Sequence, residues 1–117
     1  MVAQVKQGEV YWLNLPEPKK SEPGFRRPCV VVQSNTFNRS RIKTTVVCIL
    51  TTNLRLAQAP GNVALDEGGA NLPRKSVVNV SQILTVDKSD LLPREKIGQL
   101  SASKMGLVIA GLKMVIS

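Results

Sequence analysis

The stretch Pro28-Cys29-Val30-Val31-Val32-Gln33 after a polar loop over residues 16–27, followed by Thr44-Thr45-Val46-Val47-Cys48-Ile49-Leu50, decides the fold class. Each half is a short run of β-branched residues with no polar member at every second place. Such a run reads as a strand buried on both faces rather than as one face of a helix. Pro28 opens the first run, because a proline has no N–H to give to a sheet ladder. Outward from these two strands, Glu9-Val10-Tyr11-Trp12-Leu13-Asn14-Leu15 reads as an entry strand ended by Pro16 and Pro18. Asn62 to Leu65 reads as a short strand after the Pro60-Gly61 turn, with a glycine-bearing loop from Asp66 to Pro73 behind it. Ser76 to Val80 and Ile83 to Val86 read as two strands meeting at a Ser81-Gln82 corner. Ser34 or Asn35 caps a single helical turn in the polar stretch up to Arg41. From Pro93 the pattern predicts a helix, with Asp90 as a cap and Ile97, Leu100, Leu107, Val108, Leu112 and Val115 on one side. Gly98, Gly106 and Gly111 lower helix propensity there, or mark close packing against the sheet. The expected fold is mainly β with α: a small, SH3-like, strongly bent antiparallel β-barrel followed by a C-terminal helix, one domain over residues 1–117.

Charge is concentrated in one part of the chain. Between Lys19 and Arg55 stand eight basic residues against Glu22 alone, whereas the remainder carries eight basic and seven acidic residues. A basic segment in an otherwise balanced domain points to a polyanionic partner. The sequence contains no histidine. That removes most zinc sites, the Ser-His-Asp triad and the usual histidine acid–base pair of ribonucleases. Cys29 and Cys48 lie inside apolar runs and read as reduced core thiols. No apolar run is long enough to cross a bilayer, and the first residues lack the layout of a signal peptide. The expected location is the bacterial cytoplasm, with no membrane partner.

The ordered blocks Gly8-Glu9-Val10-Tyr11-Trp12, Ser21-Glu22 with Arg27-Pro28-Cys29-Val30-Val31-Val32, Ser34-Asn35 with Phe37-Asn38-Arg39, Leu50-Thr51-Thr52-Asn53, Pro60-Gly61-Asn62-Val63 and Ser76-Val77-Val78-Asn79 with Gln82-Ile83 resemble the MazF/PemK (Kid) toxin family. The loop before Arg27 departs from that pattern, with Lys20 and Phe25 where the family carries glycines, and Pro23 added. The resemblance implies a toxin of a type II toxin–antitoxin system. Such a toxin is a sequence-specific endoribonuclease that cuts single-stranded mRNA and arrests growth. It also implies a homodimer silenced by a cognate acidic antitoxin.

Cleavage of RNA needs no cofactor and no metal-bound water, because the substrate carries its own nucleophile in the ribose 2′-hydroxyl. Aligned intramolecular attack is worth effective molarities of about 10⁵–10⁸ M. What remains is to clamp the phosphate, stabilise its extra charge and move two protons. Arg27 falls on the family's catalytic arginine, and a planar guanidinium suits that clamp. Thr51 falls on the family's catalytic threonine; by spacing alone it serves equally as strand-end turn chemistry. Glu22 is the one carboxylate available for proton transfer, or else an ion-pair partner of its basic neighbours. Candidate RNA contacts are Lys19, Lys20, Arg26, Arg39, Arg41, Asn53 and Arg55, with Asn38 and Gln82 as base readers. Phe25 and Phe37 stack on bases or fill the core. Two other readings compete with the nuclease: a CcdB-like poison of gyrase, and a non-catalytic nucleic-acid-binding barrel.

Overall fold

In the computed structural model, residues 4–15 and 25–117 are described. Six strands form one antiparallel sheet: β1 (Glu9–Leu15), β2 (Phe25–Val31), β3 (Thr44–Thr51), β4 (Val63–Leu65), β5 (Ser76–Asp87) and β6 (Lys96–Gln99). Their spatial order is β4-β5-β3-β2-β1-β6, so the strands read as doubly buried, β2 and β3, stand at the centre. Two α-helices, α1 (Asn35–Asn38) and α2 (Ala102–Ile116), and four short 3₁₀ turns complete the described residues. The sheet curls into a half-barrel whose edges, β4 and β6, are not hydrogen-bonded to each other. The expected mainly β fold with a C-terminal helix is therefore present, as an open curl rather than a closed barrel.

The alternation along β1, β2 and β3 sorts the core into two clusters. Val10, Val30, Cys48 and Leu50 pack with Val78, Val80 and the α2 residues Met105 and Val108. Tyr11, Leu13, Cys29, Val31, Val47 and Ile49 pack on the opposite face with Val5 and Leu91. Cys29 and Cys48 fall in different clusters, both fully buried. Burial pushes the Cys29 thiol up to about 12 and the Cys48 thiol up to about 11. Both are inert core groups, as read from the sequence.

Three local readings are corrected. β2 begins at Phe25 instead of Cys29, because residues 25–28 pair with β1, so Pro28 lies inside the strand. The two strands expected around Ser81-Gln82 are one long strand, β5. Its pairing with β3 jumps from Cys48↔Ile83 to Ile49↔Asn79, so the corner survives as a bulge that bends the sheet. The C-terminal helix begins at Ala102, with Ser101 as its cap, instead of near Pro93. Pro93–Glu95 is a single 3₁₀ turn, and Lys96–Gln99 is the edge strand β6, paired with β1. The cap at Ser34 holds: its side chain accepts from Thr36 N–H.

A buried polar group anchors that edge. Glu9 accepts from Tyr11 Oη at 2.9 Å and from Lys6 N–H at 2.7 Å, and it pairs with Lys96 Nζ at 2.8 Å. Burial pushes the Glu9 carboxyl up, but the hydrogen bonds from Lys96, Lys6 and Tyr11 outweigh it and hold the pKa below the usual value. Tyr11 is raised by burial and by its bond to Glu9.

Candidate active site

Pro28 opens the site. β2 pairs with β1 all the way from Val30 to Phe25, but its ladder with β3 starts only at Cys29↔Ile49. Lacking an N–H, Pro28 gives β3 nothing to pair with, so the two strands part at this end. Continuing the register across the gap sets Arg27 opposite Thr51. A groove of about 450 Å³ occupies the gap, lined by Arg27 and Pro28 on one wall and Leu50, Thr51, Thr52 and Asn53 on the other. Trp12 and Arg26 extend the first wall, while Leu72, Pro73, Arg74 and Ser76 close the far end. The lining thus carries three arginines and, among the described residues, no carboxylate.

The third strand ends in a chain of side-chain caps. Thr51 Oγ1 accepts from Asn53 N–H at 3.1 Å, and Asn53 Oδ1 accepts from Arg55 N–H at 3.3 Å, starting the 3₁₀ turn Leu54–Gln58. Turn chemistry and a chemical role for Thr51 are compatible. A hydroxyl that accepts one N–H still has its own proton to donate toward the groove.

Of the residues singled out in the sequence, the groove gathers Arg26, Arg27, Thr51 and Asn53. The others lie elsewhere. Arg41 lines a separate hollow with Ile42, Lys43, Asp87 and Lys88, at the Thr44 end of β3. That end and the Thr51 end are about 23 Å apart at the usual rise of a strand. The basic segment is therefore two patches, not one groove. Arg39 is exposed at the end of α1, Arg55 is exposed in the turn after Asn53, and Gln82 is exposed at the β5 bulge. Phe37 is 54% exposed and plugs no core.

Asn38 is not placed to meet RNA. It is buried, and its Oδ1 accepts from Gln33 Nε2 at 2.9 Å and Thr45 Oγ1 at 2.8 Å. Its Nδ2 donates to the Gln33 carbonyl at 2.9 Å, and its own carbonyl accepts from the buried Lys88 Nζ at 2.8 Å. Asn38 is the hub that fixes α1 to β3. Lys19, Lys20 and Glu22 lie outside the described residues, as does the side chain of Phe25.

The sequence does not single out Trp12 and Arg74, which also line the groove. Trp12 is the sole tryptophan of the chain, yet it sits in an ordinary strand pattern. Arg74 belongs to the half whose charges balance, and only the fold carries it to the groove.

The family described as PemK-like, MazF-like toxin of type II toxin–antitoxin systems matches residues 6–116. The endoribonuclease MazF6 of Mycobacterium tuberculosis is 43% identical over 112 residues, covering 96% of each chain. The endoribonuclease MazF of Staphylococcus epidermidis is 35% identical over 101 residues, covering 86% of this chain and 82% of its own. Among solved structures, an endoribonuclease from mycobacterial species superposes with a TM-score of 0.77 at 23% identity, covering 98% of this chain and 93% of that one. A mycobacterial endoribonuclease in complex with its cognate antitoxin gives 0.76 at 24% identity, covering 96% and 94%. These two likenesses concern the fold. The family match spans nearly the whole chain, and the chain belongs to that family.

Proposed function

We propose that this PemK/MazF-family chain is the toxin of a type II toxin–antitoxin pair and cuts single-stranded RNA endonucleolytically. The observation that carries the reading is that Arg27 and Thr51 line facing walls of one arginine-rich groove. In the proposed reaction the 2′-hydroxyl attacks the adjacent phosphorus in line, the P–O5′ bond breaks, and a 2′,3′-cyclic phosphate and a 5′-hydroxyl remain. Arg27 grips two non-bridging oxygens and gains strength as negative charge builds on the phosphorane. Thr51 gives a hydrogen bond from its hydroxyl to a non-bridging oxygen or to the departing 5′-oxygen. Arg26 and Arg74 hold flanking phosphates. Arginine effectively never deprotonates, so the proton carriers lie elsewhere, with Glu22 the carboxylate proposed for one of them. Asn53 and Arg55 flank Thr51 and are proposed to meet the chain downstream.

The whole chain acts in this proposal as one toxin domain, working as a homodimer in the bacterial cytoplasm, where its substrate is. A cognate acidic antitoxin is proposed to silence it by covering the same arginines. Charge complementarity speeds such encounters and makes them salt-sensitive. Neither a gyrase poison nor a non-catalytic barrel gains an observation in its favour.

The test is direct. Purified protein should cut single-stranded RNA in excess EDTA and leave single-stranded DNA of the same sequence intact. Activity abolished by the chelator and restored by magnesium would overturn the 2′-hydroxyl mechanism.

A further inference from the structure

One wall of the groove is shared with a second hollow. Trp12 and Arg26 line both the cleavage groove and a neighbouring depression of about 320 Å³, whose other lining residues include Asn14, Ser89, Asp90, Arg94 and Glu95. The Arg26 guanidinium lies over the Trp12 ring, 5.1 Å from its centroid, and is ion-paired to Glu95. The elements that meet here are distant in sequence. Trp12 is on β1, Arg26 on β2, and Glu95 in the 3₁₀ turn Pro93–Glu95 ahead of β6. The stack is local packing by register, since Trp12 pairs with Pro28 and Asn14 with Arg26.

We propose that Trp12 and Arg26 form a subsite for one unpaired base and its phosphate beside the cleavage groove, kept closed in the free protein by Glu95. This rests on the RNA reading above and adds a residue-level device to it. Three observations carry it. First, a flat indole next to a polyanion groove is a stacking platform that any base fits, because every base has a π-face. Second, the cation now occupying that face is a substrate-binding group by type: a guanidinium fits phosphate at least as well as carboxylate. Third, the clasp is weak. The side chains of Arg26 and Glu95 are 49% and 24% exposed, and pairs so open to water shift an equilibrium by only a few-fold. An entering phosphate therefore takes Arg26 from Glu95, the guanidinium leaves the ring, and a base stacks in its place. The hollow beyond, with Asn14, Ser89 and Asp90, then offers polar groups to the base edge. Glu95 acts here as a positioning residue, not as a member of the cleavage machinery.

Trp12 is the only tryptophan, so its emission excited at 295 nm reports on this one ring. The probe is a 2′-O-methyl oligoribonucleotide of mixed sequence, which has no free 2′-hydroxyl and cannot be cut. It carries an end label, so that anisotropy measures binding independently. Trp12 emission should be quenched with the same midpoint as the anisotropy change. Glu95→Gln should tighten binding about three- to five-fold, the scale of an exposed ion pair. That gain should vanish when Arg26→Gln is added, because the two changes act on one clasp. A merely structural glutamate would weaken binding on substitution or leave it alone. Binding without any change in Trp12 emission, or a Glu95→Gln variant that binds no tighter, overturns the subsite and leaves the nuclease reading standing. Emission that responds to an acidic peptide but not to the oligomer makes the ring a protein contact and likewise overturns it. If the oligomer does not bind and RNA is not cut, both proposals fall.

Discussion

Arg27→Ala is expected to slow RNA cleavage by at least about 10²-fold, the usual cost of removing one donor aimed at developing charge. Thr51→Ala should lose a similar factor. Both losses should appear in the single-turnover rate, not only in binding. The reason is the geometry at Pro28: β2 and β3 separate there, and the two side chains face one groove from opposite walls. Each interaction strengthens as the phosphorane forms, so each acts mainly on the barrier. Arg27→Lys should recover little, since an ammonium is a point charge and cannot grip two oxygens at once. Both positions lie outside the two core clusters, so thermal unfolding should stay close to that of the parent. A variant that keeps near-normal turnover would remove that residue from the mechanism.

The second large effect is on stability. Gly111→Ala should destabilise the fold by about 2–3 kcal/mol, the range expected when a methyl is forced into packed surroundings. An added Cβ at Gly111 would run into the Gly61 carbonyl, and Gly61 itself holds a φ of +79° that other residues rarely adopt. The close contact is backbone against backbone, so no side chain can turn away to relieve it. It is also where α2 rests on the loop before β4, as the sequence reading of packed glycines allowed. Gly106→Ala provides the contrast, because nothing lies within 4 Å of an added Cβ there. Gly106→Ala should be neutral or stabilise by up to about 1 kcal/mol, the helix-interior cost of glycine. Urea titrations of the two variants decide the matter. Equal stabilities would show that the packing of α2 on Gly61 is not tight.

Much of this architecture was legible because its signals are local. Doubly apolar runs mark β2 and β3 as central strands, and Ser34 announces its cap; Pro28 announces a strand start, yet β2 runs back past it to Phe25 through its pairing with β1. What failed depends on partners far along the chain. Lys96–Gln99 is four residues long, too short for a period of its own, and becomes a strand only by pairing with Glu9–Tyr11. Ile97 and Leu100 therefore lent a false extension to the periodicity of α2. The site shows the same division. Arg27 and Thr51, singled out by their motifs, both line the groove. Arg39 and Arg41 were grouped with them by counting charge along the sequence, although β3 carries the chain from one patch to the other. Asn38 looked like an amide available to RNA, and burial turned it into a scaffold. Trp12, Arg74 and Glu95 became relevant only when three strands and a turn converged.

The central claim is that the substrate's own 2′-hydroxyl is the nucleophile and that the groove between Arg27 and Thr51 merely positions and stabilises it. The most direct measurement uses an RNA oligomer cut at one mapped position, compared with the same oligomer bearing a single 2′-deoxy substitution at the nucleotide 5′ to the cut. Both are incubated with the protein in EDTA, and the product ends are determined by mass. The RNA should yield a 2′,3′-cyclic phosphate and a 5′-hydroxyl, and the substituted oligomer should not be cut at that position. Cleavage of the substituted oligomer at the same position and rate, leaving a 5′-phosphate, would mean that water attacks instead and would contradict the account.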